Sequence, residues 1–172
     1  MEGDLRRLTE TFTQPGAIRW IGVRPDRRAL MTVLERAEVV SSGLRGDRRT
    51  GPGKRAVTLI QAEHLPVIAA LSGYVAVDPA LLRRNIVVSG VNLLGLRKIR
   101  FRIGSAILRG TGLCAPCSRM EESLGPGGYT AMRGHGGITA EVLEPGEIAL
   151  GDAVTPLLDA TETCPCSPKN RS

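Results

Sequence analysis

The segment Lys98 to Gly110, KIRFRIGSAILRG, does most to limit what this chain can fold into. Ile99, Phe101 and Ile103 alternate with Lys98, Arg100 and Arg102, the period of two of a strand with one apolar face. Gly104-Ser105 makes a two-residue turn and Ala106 to Leu108 return, so the segment is expected to be a β-hairpin. Its basic stripe then serves as the solvated face of an edge hairpin. Other short strands are expected in AIRWIGVRP, in AVTLI (56–60), in NIVVSG, and in a final hairpin made by ITAEVL and IALGDAV. Short helices fit between them. DLRRLTETFTQ ends at Pro15-Gly16. AEHLPVIAALSG takes Pro66 in its first turn and Gly73 as its close, and DPALLRR is capped by Asp78 with Pro79 in the first helical position. Residues 29–40 fit a helix or two strands. SSGLRGDRRTGPGKR and the glycine-dense GPGGYTAMRGHGG are expected to be loops. The chain thus reads as mainly β with short helices, an α+β, barrel-like single domain over 18–158. An N-terminal extension (1–17) precedes it, and a flexible tail (159–172) follows.

Charge narrows the ligands. The net charge is +6, and residues 1–60 hold 12 Lys/Arg against 7 Asp/Glu. A basic surface attracts phosphate-bearing ligands. Nucleic acid is not expected as a partner, because stacking platforms need aromatics and the chain has two Phe, two Tyr and one Trp. No apolar run reaches the roughly 20 residues of a membrane helix, so no membrane partner is expected either. The N-terminus has no apolar signal segment, which sets a cytoplasmic expectation. Thiols there are reduced, and a disulfide framework is not expected.

The densest chemistry lies in GTGLCAPCSRMEESLG, residues 110–125. Ser118 and Glu121 have capping-box spacing, and Gly125-Pro126 would stop the helix. Cys117 would then stand at a helix N-terminus, where unpaired N–H groups favour an anion such as a thiolate, and Arg119 adds positive potential. The alternative is an inert cysteine packed as a small hydrophobe. Cys114 and Cys117 could also be a redox pair, or half of a zinc site with Cys164 and Cys166. Against zinc, the C-P-C spacing of that second half is too tight and too near the tail. Arg83 and Asn85 flank Arg84 at a helix-to-strand junction, so in an extended segment both could face one ligand, Arg83 gripping phosphate. The bland reading is a surface arginine and a turn asparagine. Arg45, Asp47 and Arg48 lie in GLRGDRR, a loop that either cradles an anion or is a solvated turn. His135 in RGHGG is a candidate proton carrier, or simply exposed.

In order and spacing, GLRGDRR, KRAVTLIQAEHL, LLRRNIVVSGVNLL, FRIGSAILRGTGLCAPCSRM and RGHGGITAEVLEPGEIALGDAV resemble the MOSC domain, the molybdenum cofactor sulfurase C-terminal domain. The resemblance runs from residue 18 to about 155. It implies a β-rich barrel-like fold with 29–40 extended. It implies the molybdenum cofactor, molybdopterin, as the ligand. Arg83 and Asn85 match the family's pterin-contacting R-x-N positions, and Cys117 matches its metal-ligating or sulfur-carrying cysteine. Gly43, Leu44, Gly46 and Asp47 match its G-L-x-G-D loop. The pyridoxal-phosphate-dependent domain of full-length sulfurases and the N-terminal domain of amidoxime-reducing relatives have no counterpart here. The chain therefore resembles a stand-alone, bacterial-type member with no intrinsic pyridoxal phosphate, flavin, haem or iron–sulfur site. The implied activities are sulfur transfer, or reduction of N-hydroxylated substrates. The partner would be a sulfur-donor or sulfur-acceptor enzyme, or an electron-donor protein. A thiol-redox module using Cys114 and Cys117, or a non-catalytic binding module, are the alternatives.

Overall fold

The structure is a computed structural model that describes residues 2–48 and 51–158. The tail expected over 159–172, with Cys164 and Cys166, lies outside the described residues. A helix α1 (Glu2–Glu10) leads into β1 (Gly16–Val23), β2 (Thr32–Leu34), β3 (Arg36–Val40), β4 (Gly43–Leu44) and β5 (Val57–Gln61). Helix α2 (Leu65–Ser72) and a 3-10 turn (Pro79–Leu82) precede β6 (Ile86–Ser89). The expected hairpin is present as β7 (Arg100–Ile103) and β8 (Ala106–Leu113). Then come α3 (Ser118–Leu124), α4 (Gly128–Met132), β9 (Ile138–Glu144), β10 (Gly146–Ala149) and β11 (Ala153–Leu157).

Seven strands close a barrel in the order β11-β7-β8-β9-β5-β6-β1, because β11 also pairs with β1. Strand β1 divides its second edge between two partners. Gly16 and Ala17 pair with β11, while Ile21 to Val23 pair with β2. Strands β10, β3 and β4 form a separate small sheet. The ambiguous 29–40 segment is thus extended.

The pleat sorts the side chains into two cores. Val57, Leu59, Ile86 and Val88 point into the barrel with Ile18, Phe101 and Ile138. The alternate residues Ile60 and Val87 point outward and are covered by Ile68 and Ala69 of α2, Met120 and Leu124 of α3, and Met132 of α4. β5 and β6 run parallel, and a parallel pair needs such a crossover with a helix over it. Gly73 closes α2 in the left-handed conformation, and Asp78 accepts the amide of Ala80, as their positions in the sequence predict.

Four local expectations fail. The segment SSGLRGDRRTGPGKR, expected to be a loop, contains the short strand β4, which pairs with β3. β9 and β10 are neighbours in sequence but make no hairpin. β10 pairs with β3 over Gly146–Ala149, and β9 stays between β5 and β8. The glycine-dense segment contains α4, for Gly127 takes φ 89 and supplies the turn that starts it. The capping box is not formed. Cys117 itself is the N-cap of α3, with no side-chain cap. Glu121 instead reaches across the turn and accepts the amides of Gly127 (2.7 Å) and Tyr129 (2.9 Å), tying α4 to α3.

Those two amides hold the Glu121 carboxyl below its ordinary value of 4.5, that of Tyr129 contributing most. A lowered folded-state value stabilises the protein above the unfolded value and is lost as pH falls through the folded one. Glu121→Gln is therefore expected to be less stable than the wild type at neutral pH, and the gap should narrow on acidification. Urea unfolding at neutral and acid pH checks this; a gap that does not change with pH would show that the carboxylate charge is not involved.

Candidate functional site

Four loops converge on a cleft of about 330 Å3. The turn after β1 brings Arg24, Arg27 and Met31. The segment between β4 and β5 brings Asp47, Arg48 and Arg55. The junction ahead of β6 brings Arg83, Arg84 and Asn85, and the segment into α3 brings Cys114, Cys117 and Arg119. Seven arginines and one carboxylate line it, so the cleft is strongly electropositive.

Arg83 is the one non-glycine residue with positive φ (57°) among the described residues. A left-handed backbone costs an L-residue roughly 1–2 kcal/mol. Such strain persists where the surroundings enforce it, often at functional sites. It ends the 3-10 turn and sends successive side chains along different paths. The Arg83 Nη2 donates to the Arg27 carbonyl at 3.2 Å. Burial, then the positive charges of Arg119 and Arg48, hold the Arg83 guanidinium below its ordinary value, while Cys117 and Glu122 oppose the shift. Arg83 thus senses three arms of the cleft at once.

Arg84 turns inward and is 5% exposed. Its guanidinium donates to the carbonyls of Gly136 (2.9 Å), Leu82 (2.9 Å) and Cys114 (3.5 Å). It fastens the Cys114 segment to the glycine loop before β9. Asn85 is also buried, and its amide is fully used. Its Oδ1 accepts the Thr58 amide and hydroxyl, both at 3.0 Å, while its Nδ2 donates to Asp47 Oδ2 at 2.6 Å and to the Gly22 carbonyl at 3.3 Å. Asn85 therefore sets the position of Asp47 in the cleft. Burial of a polar side chain is tolerated because every hydrogen-bonding group is matched.

The two cysteines differ. Cys114 is 3% exposed, and its amide donates to the Gly137 carbonyl at 2.9 Å. Cys117 is an exposed free thiol whose carbonyl accepts the Met120 amide, which starts α3.

Of the residues singled out in the sequence, the structure brings Cys117, Arg83, Asn85, Asp47 and Arg48 together. Arg45 and His135 are not among the residues that line the cleft. Arg45 makes a two-pronged ion pair with Glu38 of β3, with Nη2 to Oε1 at 2.8 Å. His135 stacks edge-on against His64, ring centroids 5.0 Å apart. Burial first, and then His135, hold His64 below the ordinary histidine value. Arg24, Arg27 and Arg55 belong to the cleft but were not predicted. Arg24 and Arg27 lie outside the motifs and Arg55 at the edge of KRAVTLIQAEHL, where no role was assigned to it; the signal that points to all three is the basic excess of residues 1–60.

The donor set suits a large anion with one soft ligand position. Guanidinium groups match phosphate oxygens, and a thiolate is a soft donor that suits molybdenum better than hard cations do. No group of three or more His, Cys, Asp or Glu side chains that could hold a metal ion occurs among the described residues. No helix among them is long and apolar enough to cross a membrane.

The profile of the MOSC domain matches residues 46–155. The YuaD protein from Bacillus subtilis has a similar solved structure, with TM-score 0.72 and 19% identity over 82% of this chain and 94% of that one. YiiM from Escherichia coli is also similar, with TM-score 0.66 and 17% identity over 85% of this chain and 72% of its own. YiiM from Geobacillus stearothermophilus gives TM-score 0.67 and 18% identity over 84% and 76%. At these identities the likeness shows the fold. No curated protein matches the chain.

Proposed function

With more than half its length matched, the chain belongs to the MOSC domain family, and on that footing we propose that it binds the molybdenum cofactor in the arginine cleft, with Cys117 as the metal-ligating or sulfur-carrying thiolate. The observation that carries this is the one exposed thiol in a cleft with seven arginines and one carboxylate. When bound, the cofactor would supply a metal centre able to exchange electrons or hold a labile sulfur. The chain's own residues do the rest. Arg83, Arg48 and Arg119 attract and orient the pterin phosphate. Asp47, fixed by Asn85, gives the cleft a single hydrogen-bond acceptor of negative charge. Arg84 holds the wall that carries Cys114.

Within this reading the protein works in sulfur transfer, or reduces N-hydroxylated substrates with electrons from an external donor protein. Purification from a molybdenum-replete host tests the binding step. Metal analysis by mass spectrometry and fluorescence of the oxidised pterin should both be positive. A wild-type protein that carries neither, from cells that load other molybdenum enzymes, would refute it.

Arg83 offers a sharper test. Arg83→Gly removes the left-handed strain and the guanidinium together. It is expected to melt no lower than the wild type, because the relief of roughly 1–2 kcal/mol offsets the lost side-chain contacts. It should nevertheless retain at most about a tenth of the pterin, a loss worth about 1.4 kcal/mol of binding. Calorimetry and pterin analysis on one preparation check both halves; full retention of pterin would remove Arg83 from the binding machinery.

A further inference from the structure

A second hollow, of about 390 Å3, shares the Cys114–Ala115 wall with the arginine cleft. Its lining differs in kind. Leu94, Leu113 and Tyr129 are 48%, 53% and 43% exposed, and Pro116 lies among them. Scattered exposed apolar residues need no explanation, but three gathered in one concavity do. Arg97 and Arg133 also line it, and no carboxylate does. Both arginines are exposed, and neither has a side-chain hydrogen bond or ion pair among the described residues. Concave apolar walls with a few charged groups at the edge are the usual make-up of a small-molecule site, and the volume falls in the usual range of roughly 300–1,000 Å3.

We propose that this hollow is a binding site for an aromatic anion, a flat apolar ring system bearing one carboxylate or sulfonate. The ring lies against Tyr129 and between Leu94 and Leu113, where stacking and burial of apolar area favour it. The anionic group meets Arg97 or Arg133. The complementarity of charge selects an anion over a neutral or cationic molecule, and the absence of any lining carboxylate removes the competing attraction. Cys117 has no part in this site, so it stands or falls independently of the cofactor reading.

Anilinonaphthalene sulfonate is a suitable probe, with phenylnaphthylamine as its neutral counterpart. The sulfonate is expected to bind the wild-type protein saturably with one site per chain. Leu113→Asp, which puts a negative charge on the apolar wall, should weaken it at least about tenfold. Arg97→Ala combined with Arg133→Ala should weaken the sulfonate about fivefold or more and the neutral amine less than about twofold. Arg55→Ala, in the other cleft, should leave binding unchanged. Circular dichroism verifies folding; should Leu113→Asp misfold, Tyr129→Ala removes an exposed ring and serves in its place, with the same loss expected. The proposal is overturned by absence of saturable binding, by equal affinity in the Leu113 or Tyr129 variant, by equal losses for the charged and neutral probes, or by a comparable loss in Arg55→Ala.

Discussion

Cys117→Ala is expected to purify as a folded barrel that no longer retains molybdenum. The thiol is exposed and makes no cap or hydrogen bond that α3 depends on, since the Cys117 carbonyl, not its side chain, accepts the Met120 amide. Its removal therefore costs little stability; substitutions at exposed positions without such a role usually change it by about 0.5 kcal/mol or less. The cost to metal retention is different. Loss of an outer-shell partner lowers metal affinity roughly 10- to 100-fold, and loss of the one exposed thiol in the cleft should exceed that. The arginines remain, so some pterin should stay bound while the metal is lost. Metal and pterin content, measured beside the melting temperature, separate the outcomes. Wild-type molybdenum content in the alanine variant would rule out Cys117 as the ligand. Cys114→Ser, at a buried position in the cleft wall that is not assigned a bond to the metal, should keep the metal.

Gly137→Ala should be the most damaging small substitution in the chain. Gly137 has φ +82, and a Cβ there would lie 1.9 Å from the Leu59 carbonyl and 2.8 Å from Ile60 Cα. Both neighbours are backbone of β5, in the closed barrel, and cannot swing aside. The Gly137 carbonyl also accepts the Cys114 amide, so any retreat of the loop pulls on the wall of the cleft. The left-handed penalty of roughly 1–2 kcal/mol and an overpacking cost of about 1–3 kcal/mol sum to about 2–5 kcal/mol. At roughly 2–4 °C per kcal/mol that is a fall in melting temperature of about 10 °C. Gly134→Ala is the internal control. It has nearly the same φ, +80, but nothing within 4 Å of the added carbon, so it should lose only the left-handed part. Equal losses in the two variants would show that the clash with β5 is relieved at no cost.

Local chemistry was readable in the sequence, and distant pairing was not. The β7–β8 hairpin, the Gly73 close and the Asp78 cap are each decided within a few residues, by alternation, φ freedom and a short side chain. Residues 29–40 carry no such local decision, and only the family resemblance placed them as strands. The expected β9–β10 hairpin failed because β10's partner, β3, lies about a hundred residues upstream, where no turn signal points. Glu121 shows the same limit at small scale. Its spacing from Ser118 suits a capping box, but two amides of the next helix compete for the carboxylate and win. At the site, Arg83 and Asn85 were paired by an argument from extended backbone. They do share the cleft, although Arg83 is left-handed and Asn85 spends its amide on Thr58, Gly22 and Asp47. Arg45 was singled out in the same loop as Asp47, although it falls on the unspecified position of G-L-x-G-D, and it pairs with Glu38 instead.

The way β1 splits its edge has a consequence for synthesis on the ribosome. Gly16 and Ala17 emerge among the first residues of the barrel, yet their partners Val154 and Ala153 are among the last. Until β11 appears, the second edge of the first strand has no neighbour along that stretch, and the barrel stays an open, curling sheet. Contacts so far apart in sequence make folding slow, and the unpaired edge is meanwhile open to other nascent chains. The arginine cleft draws on residues from Arg24 to Arg119, so most of its lining has emerged before the ring that steadies it can close. Any ligand that needs the finished cleft must therefore be taken up after β11 has joined the sheet.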